Sequence, residues 1–219
     1  MGKSLAVGKT TARGDRFAGD QFATRNDRWL TPLPLVRALG EFDLDPCGAP
    51  GHATARAVWL PEDVGDGLSI PWEGRVWLNP PYGRTMVDWM RALALHGHGT
   101  ALIFARTETA LFHEWVWPHA TAILFLRGRV TFLDPEGVAA SANSGAPSVL
   151  IAYGQADADA LEASGLEGHL VRLNPKENDV MTEEADCPRH DFYRDGKWQK
   201  CSRCDYLEPI AMTHLPPHV

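Results

Sequence analysis

The four residues Asn79-Pro80-Pro81-Tyr82 follow the apolar run Val76-Trp77-Leu78, which predicts a rigid turn at the carboxyl end of a buried strand. The two prolines fix φ and carry no N–H, so the carbonyls of a stiff loop are free to accept hydrogen bonds. The Asn79 side chain adds another acceptor, and Tyr82 adds a flat aromatic face. Such a set suits a planar substrate with an exocyclic NH2, and an adenine amino group fits this description. The same residues would also form a plain turn that closes a strand, with Tyr82 packed for its apolar area.

A second group of residues with ligand chemistry lies near the C-terminus. Cys187-x2-His190 and Cys201-x2-Cys204 form two close pairs separated by the ten residues 191–200. Paired soft and borderline ligands with this spacing are typical of tetrahedral zinc, and four protein ligands leave no open position for catalysis. We therefore expect one structural Zn2+ in a small C-terminal module. Free cysteines in a tail without fixed structure are the alternative.

The elements that must position these residues alternate along the chain. Apolar periodicity predicts helices over residues 32–39, with Thr31 as the cap, 85–95 and 110–117. Short apolar runs of buried-strand length lie at residues 42–44, 75–78, 101–104, 121–126, 130–133 and 148–153. Alternation of strand and helix predicts an α/β fold with a mostly parallel, doubly wound sheet.

Composition and charge narrow the class of protein. The chain has 219 residues and a net charge of −7, with ordinary hydrophobic and charged fractions, as expected for one α/β domain with a small appendage. No run of 18 apolar residues and no signal-peptide core are present, so we expect a cytoplasmic protein without a membrane segment. The charge is banded: the N-terminal arm and residues 75–129 are basic, whereas residues 132–186 are acidic. A locally basic face is what contact with phosphates requires, although banding can also be solvated surface.

Three further signals precede the Asn-Pro-Pro-Tyr turn, and their order is more informative than any one of them. They are Trp29-Leu30-Thr31-Pro32, Leu44-Asp45-Pro46-Cys47-Gly48 and Asp66-Gly67-Leu68. In this order, the chain resembles the DNA N6-adenine methyltransferase (Dam) family common in phages and prophages, over roughly residues 26–154. The segments 103–107, 126–132 and 147–149 look like later strands and loops of that family.

The resemblance implies a Rossmann-like, S-adenosylmethionine-dependent methyltransferase fold. It implies a site-specific DNA-methyltransferase (adenine-specific) that methylates the exocyclic amino group of a flipped adenine in double-stranded DNA. The domains would then be a flexible basic arm (1–25), the methyltransferase domain (26–174), an acidic linker (175–186) and the zinc-binding tail (187–219). A bacterial cytoplasm would be the location for a phage or prophage protein.

The resemblance also implies roles for individual residues. Asn79, Pro80, Pro81 and Tyr82 would hold the target base. The cofactor would lie against Thr31 and Pro32 at its methionine end, Asp45, Cys47 and Gly48 at the first-strand loop, and Asp66 at its adenine. Glu62 and Asp63 are the acidic candidates for its ribose. The arginines expected to contact DNA phosphates or bases are Arg84, Arg106, Arg127 and Arg129.

Two other functions stay open at this point. A methyltransferase that acts on RNA adenine or protein glutamine would present the same turn, because a side-chain amide offers the same two hydrogens. A DNA-binding zinc protein with an inactive methyltransferase core is the non-enzymatic alternative. No obligate protein partner is expected from the sequence.

Overall fold

The computed structural model describes residues 29–140 and 144–173, together with the backbone of strands at 192–195, 198–201 and 207–209. The strands are β1 (Leu44–Asp45), β2 (Ala57–Val58), β3 (Val76–Leu78), β4 (Gly99–Phe104), β5 (Ala122–Leu126), β6 (Ser148–Tyr153), β7 (Gly168–Arg172), β8 (Phe192–Asp195), β9 (Trp198–Cys201) and β10 (Leu207–Pro209). The α-helices are α1 (Leu33–Arg37), α2 (Pro61–Val64), α3 (Met86–His96) and α4 (Gln155–Ala163), and a π-helical turn spans Phe112–Val116.

Seven strands form one mixed sheet in the order β2-β1-β3-β4-β6-β5-β7. β1 is parallel to β2 and β3, and β3 is parallel to β4. β6 is antiparallel to both β4 and β5, and β7 is antiparallel to β5. The predicted α/β class is confirmed, and the sheet fits a methyltransferase-like α/β fold. Because β1, β3, β4 and β5 run in one direction, the loops that follow them meet at one edge of the sheet.

Both faces of this sheet are covered, as the prediction of a doubly wound sheet requires. Alternate residues of each strand point to opposite sides, so Val76 and Leu78 of β3 enter one apolar core and Trp77 enters the other. α3 and the π-helical turn cover the first face, whereas α1 and α4 cover the second. A rigid, fully packed sheet therefore supports the loops at its carboxyl edge.

Two sequence-based assignments are wrong, the strand at 130–133 and the Thr31 cap. Residues 130–133 do not join the sheet, because β5 already pairs with β6 and β7 on its two sides. Val130 and Phe132 fill the second core instead, and Leu133 forms isolated antiparallel bridges with Leu30 and Ala139. The helix predicted over 110–117 is present, because residues 110–111 are α-helical and continue into the π-helical turn Phe112–Val116. Thr31 does not cap α1, since Pro32 is the N-cap residue and no side chain makes a capping bond there.

A buried ion pair, which the sequence analysis did not identify, lies at the amino ends of the parallel strands, opposite to the cavity. Arg75, just before β3, donates from Nε to Oδ1 of Asp157 in α4 at 2.7 Å, and Asp157 is fully buried. The guanidinium of Arg75 lies 4.2 Å from the ring centroid of Phe42 and also donates to the Leu39 carbonyl at 2.8 Å. These contacts hold the start of β3 to α4 and to the segment after α1, at the end of the strand opposite to Asn79.

A second sheet, in the order β10-β9-β8, is antiparallel throughout. The predicted N-terminal arm (1–25) and acidic linker (175–186) lie outside the described residues, so the proposed domain division stays a prediction. Within the described ranges, no helix has the length and apolar character needed to cross a membrane.

Candidate active site

A cavity of about 950 Å³ opens at the carboxyl edge of the large sheet. That volume is near the upper end of the range for small-molecule sites. The loops after β1, β3 and β4 line it, together with residues 29–31 and 144–146. The cavity brings together most of the predicted site residues: Thr31, Asp45, Cys47, Gly48, Asp66, Asn79, Pro80, Pro81, Tyr82, Arg84 and Arg106. Pro32, Arg127 and Arg129 do not line it.

The Asn79 amide has a defined orientation. Its Nδ2 donates a hydrogen bond to the Trp29 carbonyl at 3.3 Å, and only the NH2 end of an amide can face a carbonyl oxygen. Oδ1 therefore points the other way, where it is buried and has no hydrogen-bond partner in the described part of the chain. A buried acceptor without a donor is costly and is a strong position for a ligand N–H.

Tyr82 presents an aromatic platform at the same cavity. Its ring centroid lies 4.4 Å from that of Phe104, with the planes tilted by 32°. Tyr82 is nevertheless 45% exposed, so packing on Phe104 covers only part of the ring. The Phe104 contact holds the ring in place, and the remaining surface is free to stack on a planar ligand.

Asp45 organises the loop after β1. One carboxylate oxygen accepts the Cys47 backbone N–H at 3.2 Å, and the other accepts the Thr54 hydroxyl. Burial raises the pKa of Asp45 to about 6, although the bonds from Thr54 and Cys47 favour the ionised form. Thr54 was not identified from the sequence, because it lies nine residues further along the chain and nothing in its local pattern marks it.

Cys47 links the β1 loop to the loop after β3. Its thiol donates to the Asn79 backbone carbonyl at a sulfur–oxygen distance of 3.4 Å. Burial, followed by the negative charge of Asp45, raises the pKa of the Cys47 thiol well above its ordinary value. The side chain therefore stays a protonated structural donor rather than a thiolate nucleophile.

The Asp66-Gly67 turn packs directly against the β1 loop. The Asp66 carboxylate accepts the Leu68 N–H at 3.1 Å, and Trp72 Nε1 donates to the Gly67 carbonyl at 2.8 Å. A Cβ on Gly67 would overlap the Pro46 carbonyl oxygen. Glycine at this position therefore allows the close approach that places Asp66 in the same cavity as Asp45.

His52 is a cavity residue that the sequence analysis left without a role. Burial lowers the pKa of His52, and an interaction with the Thr31 backbone partly opposes that shift. Its Nε2 is buried without a hydrogen-bond partner, and the same holds for the Thr31 hydroxyl. Asn79 Oδ1 and Trp77 Nε1 are buried without a partner as well, so in the described part of the chain four unpartnered polar atoms belong to residues that line this cavity. The site is thus built for a polar ligand.

Exposed arginines flank the mouth of the cavity and continue along the sheet edge. Arg84 and Arg106 line the cavity and are exposed. Arg127 and Arg129 follow β5, so they lie beyond the carboxyl end of a strand that runs with β4. Arg127 contacts Glu167 at 3.5 Å, and Arg129 donates to the Ser144 carbonyl at 3.0 Å. The Glu167 carboxylate therefore partly offsets the positive charge of Arg127.

The predicted zinc ligands fall largely outside what the structure describes. Cys187, His190 and Cys204 lie outside the described residues, and Cys201 ends β9 without a description of its side chain. In the part of the chain that is described, no group of three or more His, Cys, Asp or Glu side chains could hold a metal ion. The zinc site therefore stays a prediction.

Comparison with known families agrees with the chemistry of this cavity. Residues 20–164 match the family model described as DNA N-6-adenine-methyltransferase (Dam). No curated protein and no solved structure gave a significant match. The family match spans well over half of the chain and includes every residue of the cavity described above. The chain therefore belongs to the DNA N-6-adenine-methyltransferase (Dam) family, a family of transferases that methylate adenine in DNA and whose chemistry implies S-adenosylmethionine as methyl donor.

Proposed function

We propose that this chain methylates the N6 amino group of an adenine that has been flipped out of duplex DNA, within a specific recognition site. The observation that carries the proposal is Asn79, whose amide is oriented by the Trp29 carbonyl so that a buried, unpartnered Oδ1 is left for a donor. Tyr82 supplies a stacking surface in the same cavity. An exocyclic amino group on a planar ring complements both features.

S-adenosylmethionine, when bound, supplies an electrophilic methyl group on a sulfonium, which is an excellent leaving group. The residues present fit such a cofactor, because the cavity offers unpartnered buried polar atoms and the two carboxylates Asp45 and Asp66. We assign the adenosyl part to the Asp66-Gly67 turn and the sulfonium to the region between the β1 loop and Asn79. The buried Asp45 carboxylate contributes negative charge near a positively charged ligand.

Asn79 and Pro80 act on the nucleophile. The adenine N6 lone pair is delocalised into the ring, and acceptance of its two hydrogens by Asn79 Oδ1 and the Pro80 carbonyl favours a pyramidal nitrogen. As positive charge develops on N6, these acceptors strengthen in the transition state, which is where stabilisation increases the rate. Neither acceptor has to be a strong base, and no covalent enzyme intermediate is needed.

Tyr82 and the arginines act on the DNA. A base inside a duplex must leave the stack, at a cost of a few kcal/mol, and stacking on Tyr82 offsets part of that cost. Arg84 and Arg106 line the cavity, and in this proposal they meet phosphates next to the flipped nucleotide. Arg127 and Arg129 would extend the contact along the duplex, with Arg127 exchanging its contact to Glu167 for a phosphate.

Methylation of RNA adenine or protein glutamine is the competing proposal, since the Asn79 acceptor does not distinguish these NH2 groups. Parallel assays with tritiated cofactor on duplex DNA, RNA and protein extracts test the choice. We expect incorporation into duplex DNA alone. Expression in a methylation-free host, followed by mapping of modified adenines, would then give the recognition site. Cofactor binding without turnover on any substrate would favour an inactive DNA-binding protein.

We further propose that Cys187, His190, Cys201 and Cys204 hold one structural Zn2+. The paired spacing supports this assignment. Elemental analysis of the purified chain should find about one zinc per molecule, and Cys187→Ser should lower that ratio. A folded C-terminal region without metal would contradict the proposal.

A further inference from the structure

We propose that Val138, at the tip of the hairpin formed by residues 132–140, enters the base stack of the DNA and fills the place that the flipped adenine leaves. The inference rests on the proposed function, because it concerns the duplex from which the adenine has moved. It gives a role to a residue that the sequence analysis did not single out.

Val138 is an apolar side chain that lies largely in solvent. It is 61% exposed, compared with 45% for Tyr82 and 40% for Leu95, the other large apolar side chains that are exposed in the described part of the chain. Single exposed apolar side chains are common on protein surfaces. The exposure of Val138 therefore becomes informative only through its position and its rigid support.

The hairpin is tied to the wall of the cavity. Leu133 forms antiparallel bridges with Ala139 on one side and with Leu30 on the other, and its backbone N–H and carbonyl both bond to Leu30, at 2.9 and 2.8 Å. Leu30 follows Trp29, whose carbonyl orients the Asn79 amide. The backbone segment that orients Asn79 therefore also holds the hairpin.

The Val138 side chain continues the inner face of this hairpin. Phe132 is buried in the second core and lines the cavity, and Ala140, whose N–H bonds to the Phe132 carbonyl at 2.9 Å, also lines it. Residues opposite each other in an antiparallel pair share a face, as do residues two apart on one strand. Val138 therefore lies on the face of Phe132 and Ala140, about 7 Å further along the strand than Ala140.

Hydrogen bonds fix the turn that carries Val138. The Asp134 N–H donates to the Val138 carbonyl and the Asp134 carboxylate accepts the Val138 N–H, both at 2.8 Å. Gly137 donates to the Asp134 carbonyl at 2.9 Å and has a φ of +81°, a conformation that favours glycine. Valine is also branched at Cβ and has few rotamers. Insertion therefore costs this side chain little conformational entropy.

Charge and polarity select the base stack rather than the phosphate backbone as the partner of this tip. Glu136 is exposed two residues before Val138, and its carboxylate repels phosphates. An apolar side chain gains free energy by leaving water among bases, and apolar wedges between base steps are a known device of DNA-binding proteins. The flipped adenine opens such a place by its own departure, so no second step has to be unstacked.

Equilibrium binding to three duplexes, with S-adenosylhomocysteine present, tests this inference without any measurement of catalysis. One duplex carries the recognition site mapped in the methylation-free host, the second has a tetrahydrofuran residue in place of the target adenosine, and the third lacks the site. Val138→Ala should lose about five- to fifteenfold in affinity for the first two duplexes, as expected for removing two methyl groups from a contact that excludes water. Binding to the third should change by less than about twofold.

Matched variants separate gap filling from other roles. Tyr82→Ala should bind the tetrahydrofuran duplex like wild type, because that duplex has no target base to stack on Tyr82. Val138→Leu, which keeps an apolar wedge, should retain the wild-type affinities. Leu95→Ala removes an exposed apolar side chain that does not line the cavity and should change none of the three affinities.

The possible failures give different results. Wild-type affinity of Val138→Ala for the tetrahydrofuran duplex would overturn the inference, and so would an equal loss on the duplex without the site. Replacement of the thymines next to the target by uracil would reproduce the loss in the wild type if Val138 read a thymine methyl group, which would overturn the inference as well. If the wild-type chain neither methylates the intact site nor prefers it to the third duplex, the proposed function is refuted and the inference with it.

Discussion

Substitution of Asn79 by alanine separates stability from catalysis in a way that follows from the structure. The change removes one hydrogen bond, from Nδ2 to the Trp29 carbonyl at 3.3 Å, and such a bond contributes about 0.5–1.5 kcal/mol to the free energy of unfolding. It also removes Oδ1, a buried acceptor without a partner, whose burial costs about 1–3 kcal/mol. The two terms oppose each other, so Asn79→Ala should leave the free energy of unfolding unchanged or slightly higher.

Catalysis should respond very differently. If Asn79 Oδ1 accepts from N6 mainly as charge develops, its loss should lower the single-turnover rate about 10²- to 10³-fold, the range for one oriented transition-state partner. The assay is methyl transfer to a cognate duplex at saturating cofactor and DNA, with urea unfolding and cofactor calorimetry alongside. Gln155→Ala, which removes an exposed amide that donates to Asp159, is the matched control and should change neither the methylation rate, nor the free energy of unfolding, nor the cofactor affinity. Wild-type rates for Asn79→Ala would refute the adenine-amino interpretation, and a large loss of stability would refute the view that Oδ1 is unsatisfied.

Three further predictions concern the neighbouring residues. Tyr82→Ala should weaken productive DNA binding by about 1–3 kcal/mol, the usual value of stacking one base. In single-turnover kinetics this defect should be smaller on duplexes whose target adenine faces an abasic site, and an equal defect on matched and abasic duplexes would contradict a role in base capture. Gly67→Ala should lower the free energy of unfolding by about 1–3 kcal/mol through overlap with the Pro46 carbonyl and weaken cofactor binding, whereas Gly145→Ala, where a Cβ meets nothing within 4 Å, should unfold like wild type. The pKa of Asp45 is about 6 in the folded state and about 3.9 in the unfolded state. The free energy of unfolding of the wild type should therefore fall by roughly 3 kcal/mol relative to that of Asp45→Asn as the pH rises from about 4 to about 6. Urea unfolding that gives parallel pH profiles for the two proteins would disprove this.

Much of the site was predictable because its chemistry is local in the chain. The Asn79–Tyr82 turn, the loop that begins at Asp45 and the Asp66-Gly67 turn each carry their special backbone requirements in consecutive residues. The strands β3, β4, β5 and β6 were predictable for the same kind of reason, since each is a short apolar run. Elements with weaker patterns were missed, among them β7, where Gly168–Arg172 alternates little and sits at the sheet edge.

Other contacts join residues that are distant in sequence, and only the tertiary structure could decide them. The Asn79 orientation depends on a carbonyl 50 residues away, and the Arg75–Asp157 ion pair spans 82 residues. The use of residues 130–133 as core and bridge, rather than as a strand, depends on β7 already occupying the free side of β5. The sequence by itself determined which chemical groups are present and which local turns present them, because propensity and chain stiffness act over a few residues. The tertiary structure decided which of those groups have partners and which, like Asn79 Oδ1, are buried without one in the described part of the chain, because hydrogen-bond satisfaction depends on what packing brings close.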